Sequence, residues 1–355
     1  MDNLERLQRR ISKIADCGII NDQVNRRYFT GMKSSAGTLL VFPEESIFII
    51  DFRYIEKAKK TVKNCQVVLE EFPLSAQIKK IFQDRGVRTA AIDAMTCTVS
   101  QLESFDKSLG VQLVADEGFA WLIRELRMIK TPQETDKMIK AQRIAEQGFE
   151  HMLDYIRPGR TEREIQLELD FFMLSHGAEA LSFDTIALSG KNTSLPHGVP
   201  SDKQVQSGEF VLMDFGAVFE GYHSDMTRTV CVGQPSDEMK RVYDIVLRAQ
   251  QTALSQLKAG ISGKALDKIA RDIIASEGFG DNFGHSLGHG VGMEIHEQPY
   301  SSPSREDILP ENCVITVEPG IYIEDKFGVR IEDFAVVQSD GCLNMTLAPK
   351  ELIIL

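Results

Sequence analysis

Residues 211–230 read VLMDFGAVFEGYHSDMTRTV and carry acidic side chains inside runs that are otherwise typical of buried strands. Asp214 follows three apolar residues, and Glu220-Gly221 is a pair of turn residues about which the stretch can fold into a hairpin. That hairpin puts Asp214 opposite or diagonal to Asp225, and facing side chains in such a pair have Cβ atoms roughly 4.5–5.5 Å apart. Two carboxylates held so close repel each other unless a cation or a proton lies between them.

A second stretch, residues 313–334, repeats this arrangement in the sequence CVITVEPGIYIEDKFGVRIEDF. Its polar centre predicts another hairpin, and folding about residue 325 brings Glu318 opposite Glu332. Between the two stretches, residues 284–297 read GHSLGHGVGMEIHE, a glycine-rich loop that lets the backbone approach a ligand closely. This loop supplies three histidines, His285, His289 and His296.

The two hairpins and the loop together offer four carboxylates and an imidazole, which are too many ligands for one zinc ion of the usual kind. They suit two hard or borderline cations about 3.5–4 Å apart that hold a bridging water. A single strand carboxylate has a simpler explanation, because Arg228 or Arg330 is near enough in sequence to form a salt bridge with it. Two facing carboxylate pairs beside a loop of glycine and histidine are less easily explained by structural roles. We therefore predict a site for two metal ions.

The rest of the chain predicts two domains. Capping boxes at residues 131–134 and 161–164 open helices, and with the strands above they indicate helices packed on a largely antiparallel sheet. We assign this α+β domain to residues 126–355. Residues 1–125 alternate short helices and strands and predict a smaller α/β domain, in which no cluster of His, Asp or Glu indicates chemistry.

Composition and charge exclude several classes of function. The 355 residues are 43% hydrophobic and 26% charged, as in soluble globular proteins, and the net charge of −12 argues against nucleic-acid binding. No apolar run approaches the roughly 20 residues that span a bilayer, and residues 1–10 lack the apolar core of a secretory signal. The six cysteines are scattered without a CxxC pair, which favours free thiols in a reducing compartment. We expect a cytoplasmic protein that binds neither nucleic acid nor membrane.

With these residues in hand, the second half resembles the pita-bread metallopeptidase family, which includes methionine aminopeptidase, Xaa-Pro aminopeptidase and Xaa-Pro dipeptidase (prolidase). The first half resembles the creatinase-like N-terminal domain of the proline-specific members, a domain that methionine aminopeptidases generally lack. The order and spacing of the metal-ligand positions agree with the family throughout. The matching segments are SLPHG (194–198), MDFGAVFEGYHSDMTRT (213–229), GHSLGHGVGMEIHE (284–297), TVEPG (316–320) and VRIEDF (329–334).

The resemblance implies a ligand for each position of a dinuclear site. Asp214 would chelate the first metal ion, and His289 and Glu318 would bind the second. Asp225 and Glu332 would bridge the two ions. Manganese is the metal that we expect first, and cobalt, zinc or iron would also suit the donor set.

The same resemblance implies an activity and its catalytic groups. The enzyme would hydrolyse the bond between an N-terminal residue and a following proline by means of a metal-bridging hydroxide. Glu318 would move the water proton to the leaving nitrogen, while His197 would contact the substrate near the scissile bond and His296 would stabilise the oxyanion. The implied partners are small proline-containing peptides and a second copy of the chain in a homodimer.

Two alternatives stay open at this point. The substrate could be a dipeptide alone, as for an Xaa-Pro dipeptidase, or a longer peptide, as for an Xaa-Pro aminopeptidase. A metal-free relative of the same fold, either a peptide-binding module or a creatinase-like hydrolase, is the alternative to a metallopeptidase, and the intact set of predicted ligands argues against it.

Overall fold

The short apolar strands of the first third of the chain form one mixed sheet in the computed structural model, which describes residues 2–355. Its elements are α1 (Asn3–Ile11), β1 (Cys17–Ile20), α2 (Gln23–Thr30), β2 (Thr38–Val41), β3 (Ser46–Ile50), α3 (Ile55–Thr61), β4 (Gln66–Leu69), α4 (Leu74–Arg85), β5 (Thr89–Ile92), α5 (Val99–Leu109), β6 (Gln112–Val114) and α6 (Glu117–Met128). The strand order is β4-β3-β2-β1-β5-β6, with β2 antiparallel to both of its neighbours and the other pairs parallel. This unit ends at Arg127, and its α/β character is the predicted one.

The second unit runs from Met128 to Leu355 and combines helices with antiparallel strands, which confirms the predicted α+β class. Its helices are α7 (Pro132–Tyr155), α8 (Glu162–Ser175), α9 (Asp237–Gln256) and α10 (Gly263–Ser276). Its strands are β7 (Ala180–Leu181), β8 (Ile186–Ser189), β9 (Glu209–Phe215), β10 (Ala217–Phe219), β11 (Tyr222–His223), β12 (Met226–Val232), β13 (Gly288–Gly290), β14 (Glu297–Ser301), β15 (Val314–Val317), β16 (Gly320–Ile323), β17 (Phe327–Arg330), β18 (Asp333–Gln338) and β19 (Gly341–Asn344).

Two of its sheets carry the predicted site. One has the strand order β12-β9-β8 and the other has the order β14-β13-β15-β18-β19. Buried residues of α7 and α8 pack on the first sheet, and buried residues of α9 and α10 pack on the second. Each fully buried aliphatic or aromatic side chain in these cores contributes about 1.5–3 kcal/mol to the stability of the fold. The cores therefore stabilise the sheets that carry the acidic residues.

Local sequence signals fix the starts of the helices that pack on the first sheet. The Thr131 hydroxyl accepts from the Glu134 amide at 3.3 Å, and the Glu134 carboxylate accepts from the Thr131 amide at 2.6 Å. Thr161 and Glu164 form the same reciprocal pair at the start of α8. Both predicted capping boxes are therefore present. Among residues 2–355, no helix combines the length and the apolar composition that a membrane crossing needs.

Candidate metal centre

The first acidic pair is set by the register of β9 and β12. Asp214 lies opposite Thr227. Asp225 precedes Thr227 by two residues, so it lies diagonal to Asp214. The diagonal arrangement is one of the two that the sequence allows. The turn between β10 and β11 is formed by Glu220 and Gly221, at φ 48° and 87°, which is the left-handed geometry of a two-residue hairpin turn.

A glycine permits the bend that separates β9 from β10. A Cβ atom on Gly216 would lie 2.0 Å from the main-chain oxygen of Ser224, a distance at which only glycine fits. The Ser224 hydroxyl accepts a hydrogen bond from the amide of Ala217 at 3.0 Å. The segment that leads into Asp225 is thereby held against the strand that carries Asp214.

The second acidic pair lies where one ladder passes into another. Val317 pairs with Asp333 in β15 and β18, and Gly320 pairs with Arg330 in β16 and β17. Both ladders share the register that folding about residue 325 predicts, so Glu318 and Glu332 face each other between them. The Glu332 carboxylate accepts from the Thr227 hydroxyl at 2.7 Å, and the Glu332 amide donates to the Thr227 carbonyl at 3.1 Å. These contacts join the two hairpins.

His289 reaches the acidic residues from β13. A Cβ atom at Gly288 or Gly290 would lie 2.0 Å or 2.4 Å from a neighbouring carbonyl oxygen, so the strand packs closely on both sides of the histidine. The His289 Nδ1 lies 3.1 Å from the Gly290 carbonyl, to which it donates. Its Nε2 is then unprotonated in the neutral ring and lies 3.6 Å from Asp225 and 3.4 Å from Glu318.

The donor set fits a bound cation. Asp225, His289 and Glu332 each offer a ligand atom, and these atoms lie within 4.8 Å of one another. In Asp214, one carboxylate oxygen accepts from Arg330 at 2.5 Å, whereas Oδ1 is buried and has no hydrogen-bond partner among residues 2–355. A buried carboxylate oxygen without a partner is costly unless a ligand binds it. The salt bridge that the sequence offered as a simpler explanation is thus present, but it satisfies only half of the Asp214 carboxylate.

Burial and mutual repulsion shift the titration of these groups. Burial raises the pKa of Asp225 and of Glu332 well above their usual range, and the neighbouring carboxylates raise them further. Burial also raises the pKa of Glu318 to about 8, against the opposing charge of Arg330. For His289, burial lowers the pKa to about 3, so the ring is neutral at pH 7. Cations would relieve the repulsion among the carboxylates and would find the imidazole in its ligating form.

A cavity of about 450 Å³ collects all of the predicted site residues. The five predicted metal ligands lie in its wall together with His197 and His296. His296 is exposed and its ring packs edge to face on His289, with ring centroids 4.2 Å apart. The remaining lining includes apolar and aromatic side chains that sequence reasoning did not identify, among them Phe183, Ile186, Ile295 and Tyr300.

The hydrogen-bonded chain that continues from the salt bridge of Arg330 with Asp214 through Tyr322 was not predicted from the sequence. Arg330 donates to Asp214 through Nη2 and to the Tyr322 hydroxyl through Nη1 at 2.7 Å. The Tyr322 hydroxyl donates in turn to Nε2 of His285 at 2.9 Å, because the His285 Nδ1 donates to the Ser286 carbonyl. A sequence signal for Tyr322 did exist, since it pairs with Gly328 across the hairpin, where the missing side chain makes room for the ring.

Family models, protein sequences and solved structures that match this chain show which proteins it is similar to. The model described as Metallopeptidase family M24 matches residues 136–339, and that of the Creatinase/Prolidase N-terminal domain matches residues 4–129. The uncharacterized peptidase YqhT of Bacillus subtilis is 41% identical over 354 residues, 99% of each chain. The solved Xaa-Pro dipeptidase from Bacillus anthracis is 40% identical with a TM-score of 0.96, covering 99% of each chain. The X-Pro aminopeptidase from Thermotoga maritima is 38% identical with a TM-score of 0.92, covering 99% of this chain and all of that one.

Proposed function

Because the chain belongs to metallopeptidase family M24 and has its pita-bread fold, we propose that it is a proline-specific exopeptidase. The proposed reaction is hydrolysis of the bond between an N-terminal residue and a following proline. The observation that carries this proposal is the convergence of four carboxylates and an imidazole on one cavity flanked by two further histidines. Relatives of nearly full length that are named for Xaa-Pro specificity support the choice of substrate.

We propose that the centre holds two divalent cations. Asp214 would hold one ion, His289 and Glu318 the other, and Asp225 and Glu332 would contact both. The unpartnered Oδ1 of Asp214 and the raised pKa values of the other acids support this assignment. When bound, the ions supply Lewis acidity and lower the pKa of water toward neutrality. An oxygen-rich set with a single imidazole suits Mn²⁺, with Co²⁺, Zn²⁺ or Fe²⁺ as alternatives.

The chain's own residues supply proton transfer and orientation. Glu318 accepts the proton of the attacking water and delivers it to the leaving nitrogen, and the Thr316 hydroxyl, 3.1 Å from its carboxylate, helps to orient it. His296 donates a hydrogen bond to the substrate carbonyl oxygen, where negative charge develops during attack, and His197 contacts the substrate near the scissile bond. Phe183, Ile186 and Ile295 offer an apolar wall. Such a surface suits a proline ring, which has no amide N–H to satisfy.

The test is an assay of the metal-reconstituted protein with an Xaa-Pro dipeptide and with an Xaa-Pro-Yaa-Zaa tetrapeptide. We expect the protein to release the first residue from at least one of the two peptides. Chelation of the metal should abolish this activity. Turnover of the dipeptide alone would identify a dipeptidase, and comparable turnover of both would identify an aminopeptidase. If neither peptide is cleaved by protein that carries its full metal content, the proposed function is wrong. Activity that survives complete chelation would favour a creatinase-like hydrolase instead.

Three finer expectations accompany this proposal. Elemental analysis after purification without chelators should find manganese as the main transition metal. Light scattering should give the mass of a homodimer, as the resemblance implies. Fractionation of the source cells should recover the protein with the cytoplasm, in line with its scattered, unpaired cysteines.

A further inference from the structure

One buried carboxylate of the second unit takes no part in the proposed chemistry. The Glu162 side chain is fully buried, with 0% exposure, at the first residue of α8. An ionised carboxylate in the interior is costly unless hydrogen bonds or a charge satisfy it. Within residues 2–355 the hydrogen-bond donors to Glu162 are neutral, and all of them come from residues 189–201.

The hydrogen bonds of Glu162 saturate both of its oxygens. Oε1 accepts from the Ser189 amide at 2.7 Å, the Ser189 hydroxyl at 3.1 Å and the Asn192 side chain at 3.0 Å. Oε2 accepts from the Ser201 amide at 3.0 Å, the Ser201 hydroxyl at 2.6 Å and again from Asn192 at 3.2 Å. The carboxylate therefore binds both ends of residues 189–201 and also the short 3-10 helix Gly190–Ser194, which contains Asn192.

The segment held in this way carries His197 and Pro196 into the cavity wall. Its centre is also fixed from the other side, where the amide of Gly328 donates to the Thr193 hydroxyl at 2.8 Å and Arg330 donates to the Pro196 carbonyl at 3.3 Å. His197 is itself exposed, so its position depends on the main chain that bears it. The geometry of that main chain is set by Glu162 at both of its ends.

We propose that Glu162 is a positioning residue, which acts through residues 189–201 to hold His197 at the substrate. The inference rests on the proposed function for the role of His197. A carboxylate suits the position because it accepts from every donor around it and because hydrogen bonds to a charged acceptor are the stronger ones. A glutamine of the same shape would turn an NH₂ group toward groups that are themselves donors.

The principal experiment compares Glu162→Gln with Glu164→Gln. Glu164 lies on the same helix, is exposed and forms side-chain hydrogen bonds with the capping threonine and Arg160, so it is a matched control for any change in α8. In Glu162→Gln, hydrogen exchange of the amides in residues 189–201 should become at least about tenfold faster, while bound metal per chain stays unchanged. The value of kcat/KM on the proline peptide should fall at least about tenfold, mainly through kcat. Glu164→Gln should match the parent protein in all three measurements.

A double-mutant cycle tests whether the effect passes through the histidine. His197→Ala combined with Glu162→Gln should be no more than about threefold less active than His197→Ala alone, because coupled residues are not additive. Full additivity, or unchanged exchange in residues 189–201, would overturn the positioning role. If Glu162→Gln does not fold, Asn192→Ala takes its place, because it removes one donor and leaves the carboxylate intact. It should show the same changes on a smaller scale. A parent protein that cleaves no proline peptide would refute the proposed function, whereas the exchange result would still decide how the segment is held.

Discussion

Removal of the metal ions should give the protein an unusual dependence of stability on pH. A carboxyl group whose pKa is higher in the folded protein binds its proton more tightly there than in the unfolded chain. Stability is then greatest while the group is protonated and is lost as pH rises from its ordinary pKa of 4.5 to the folded value of about 8 in Glu318. Asp225 and Glu332 are shifted in the same direction. The metal-free protein should therefore become less stable as pH rises toward 8.

The size of the effect follows from the interval chosen. Each proton that the folded protein holds and the unfolded chain has lost lowers the free energy of unfolding by about 1.4 kcal/mol for each unit that the pH rises. Between pH 6.5 and pH 8, Glu318 alone therefore lowers it by roughly 1.5–2 kcal/mol. This corresponds to about 3–8 °C in Tm for a unit of this size, and the other two acids add to it. The lowered pKa of His289, about 3, acts in the opposite direction only below the ordinary histidine pKa of 6.5, which lies at the edge of the interval.

The assay is a pair of thermal melts at pH 6.5, 7.25 and 8, one with chelator and one with saturating Mn²⁺. Groups outside the site titrate equally in both samples, so the difference in Tm isolates the metal centre. Bound cations keep the carboxylates ionised, and their stabilisation grows with pH because they no longer compete with protons. The gap between the two melts should widen by at least about 3 °C, and Glu318→Gln should reduce that widening. A gap that is constant or narrows toward pH 8 would refute the reasoning.

Two further predictions concern single residues. Asp225→Asn should lower metal affinity and turnover by more than about 100-fold with little change in circular dichroism, since loss of even an outer partner of a metal site costs about 10–100-fold; unaltered activity would remove Asp225 from the ligand set. Lys130→Met should cost about 3–5 kcal/mol in guanidinium unfolding, because Lys130 and Glu297 form a buried pair at 2.5 Å with side-chain exposures of 1% and 8%. The control Lys264→Met breaks a pair with Glu306 whose exposures are 50% and 74%, and it should cost about 0–1 kcal/mol; equal losses in the two variants would contradict the role of burial.

Features encoded by neighbours in sequence were predictable. The capping boxes at Thr131 and Thr161 depend on residues three apart, and the turn at Glu220-Gly221 depends on two residues that adopt positive φ. Once a turn is placed, the period of two along a strand determines which acids face each other. This is why the pairing of Glu318 with Glu332 could be deduced without coordinates.

Features that depend on packing between distant segments were not predictable. His285 and Tyr322 are 37 residues apart in sequence, and the groups that donate to Glu162 lie 27 to 39 residues after it. The apolar lining around Phe183 and Ile295 likewise comes from separate strands and loops. No periodicity links such positions. Their proximity follows from how helices and sheets pack, which local pattern does not specify.

The contact between Thr227 and Glu332 joins strands that are 105 residues apart in sequence, and the candidate ligands stand on both sides of it. A chain still short of its final tertiary arrangement cannot present these donors together, since closing so long a loop has to come first. Metal binding would then report the last stage of folding. During refolding, a metal-sensitive signal should trail the recovery of helical circular dichroism instead of leading it.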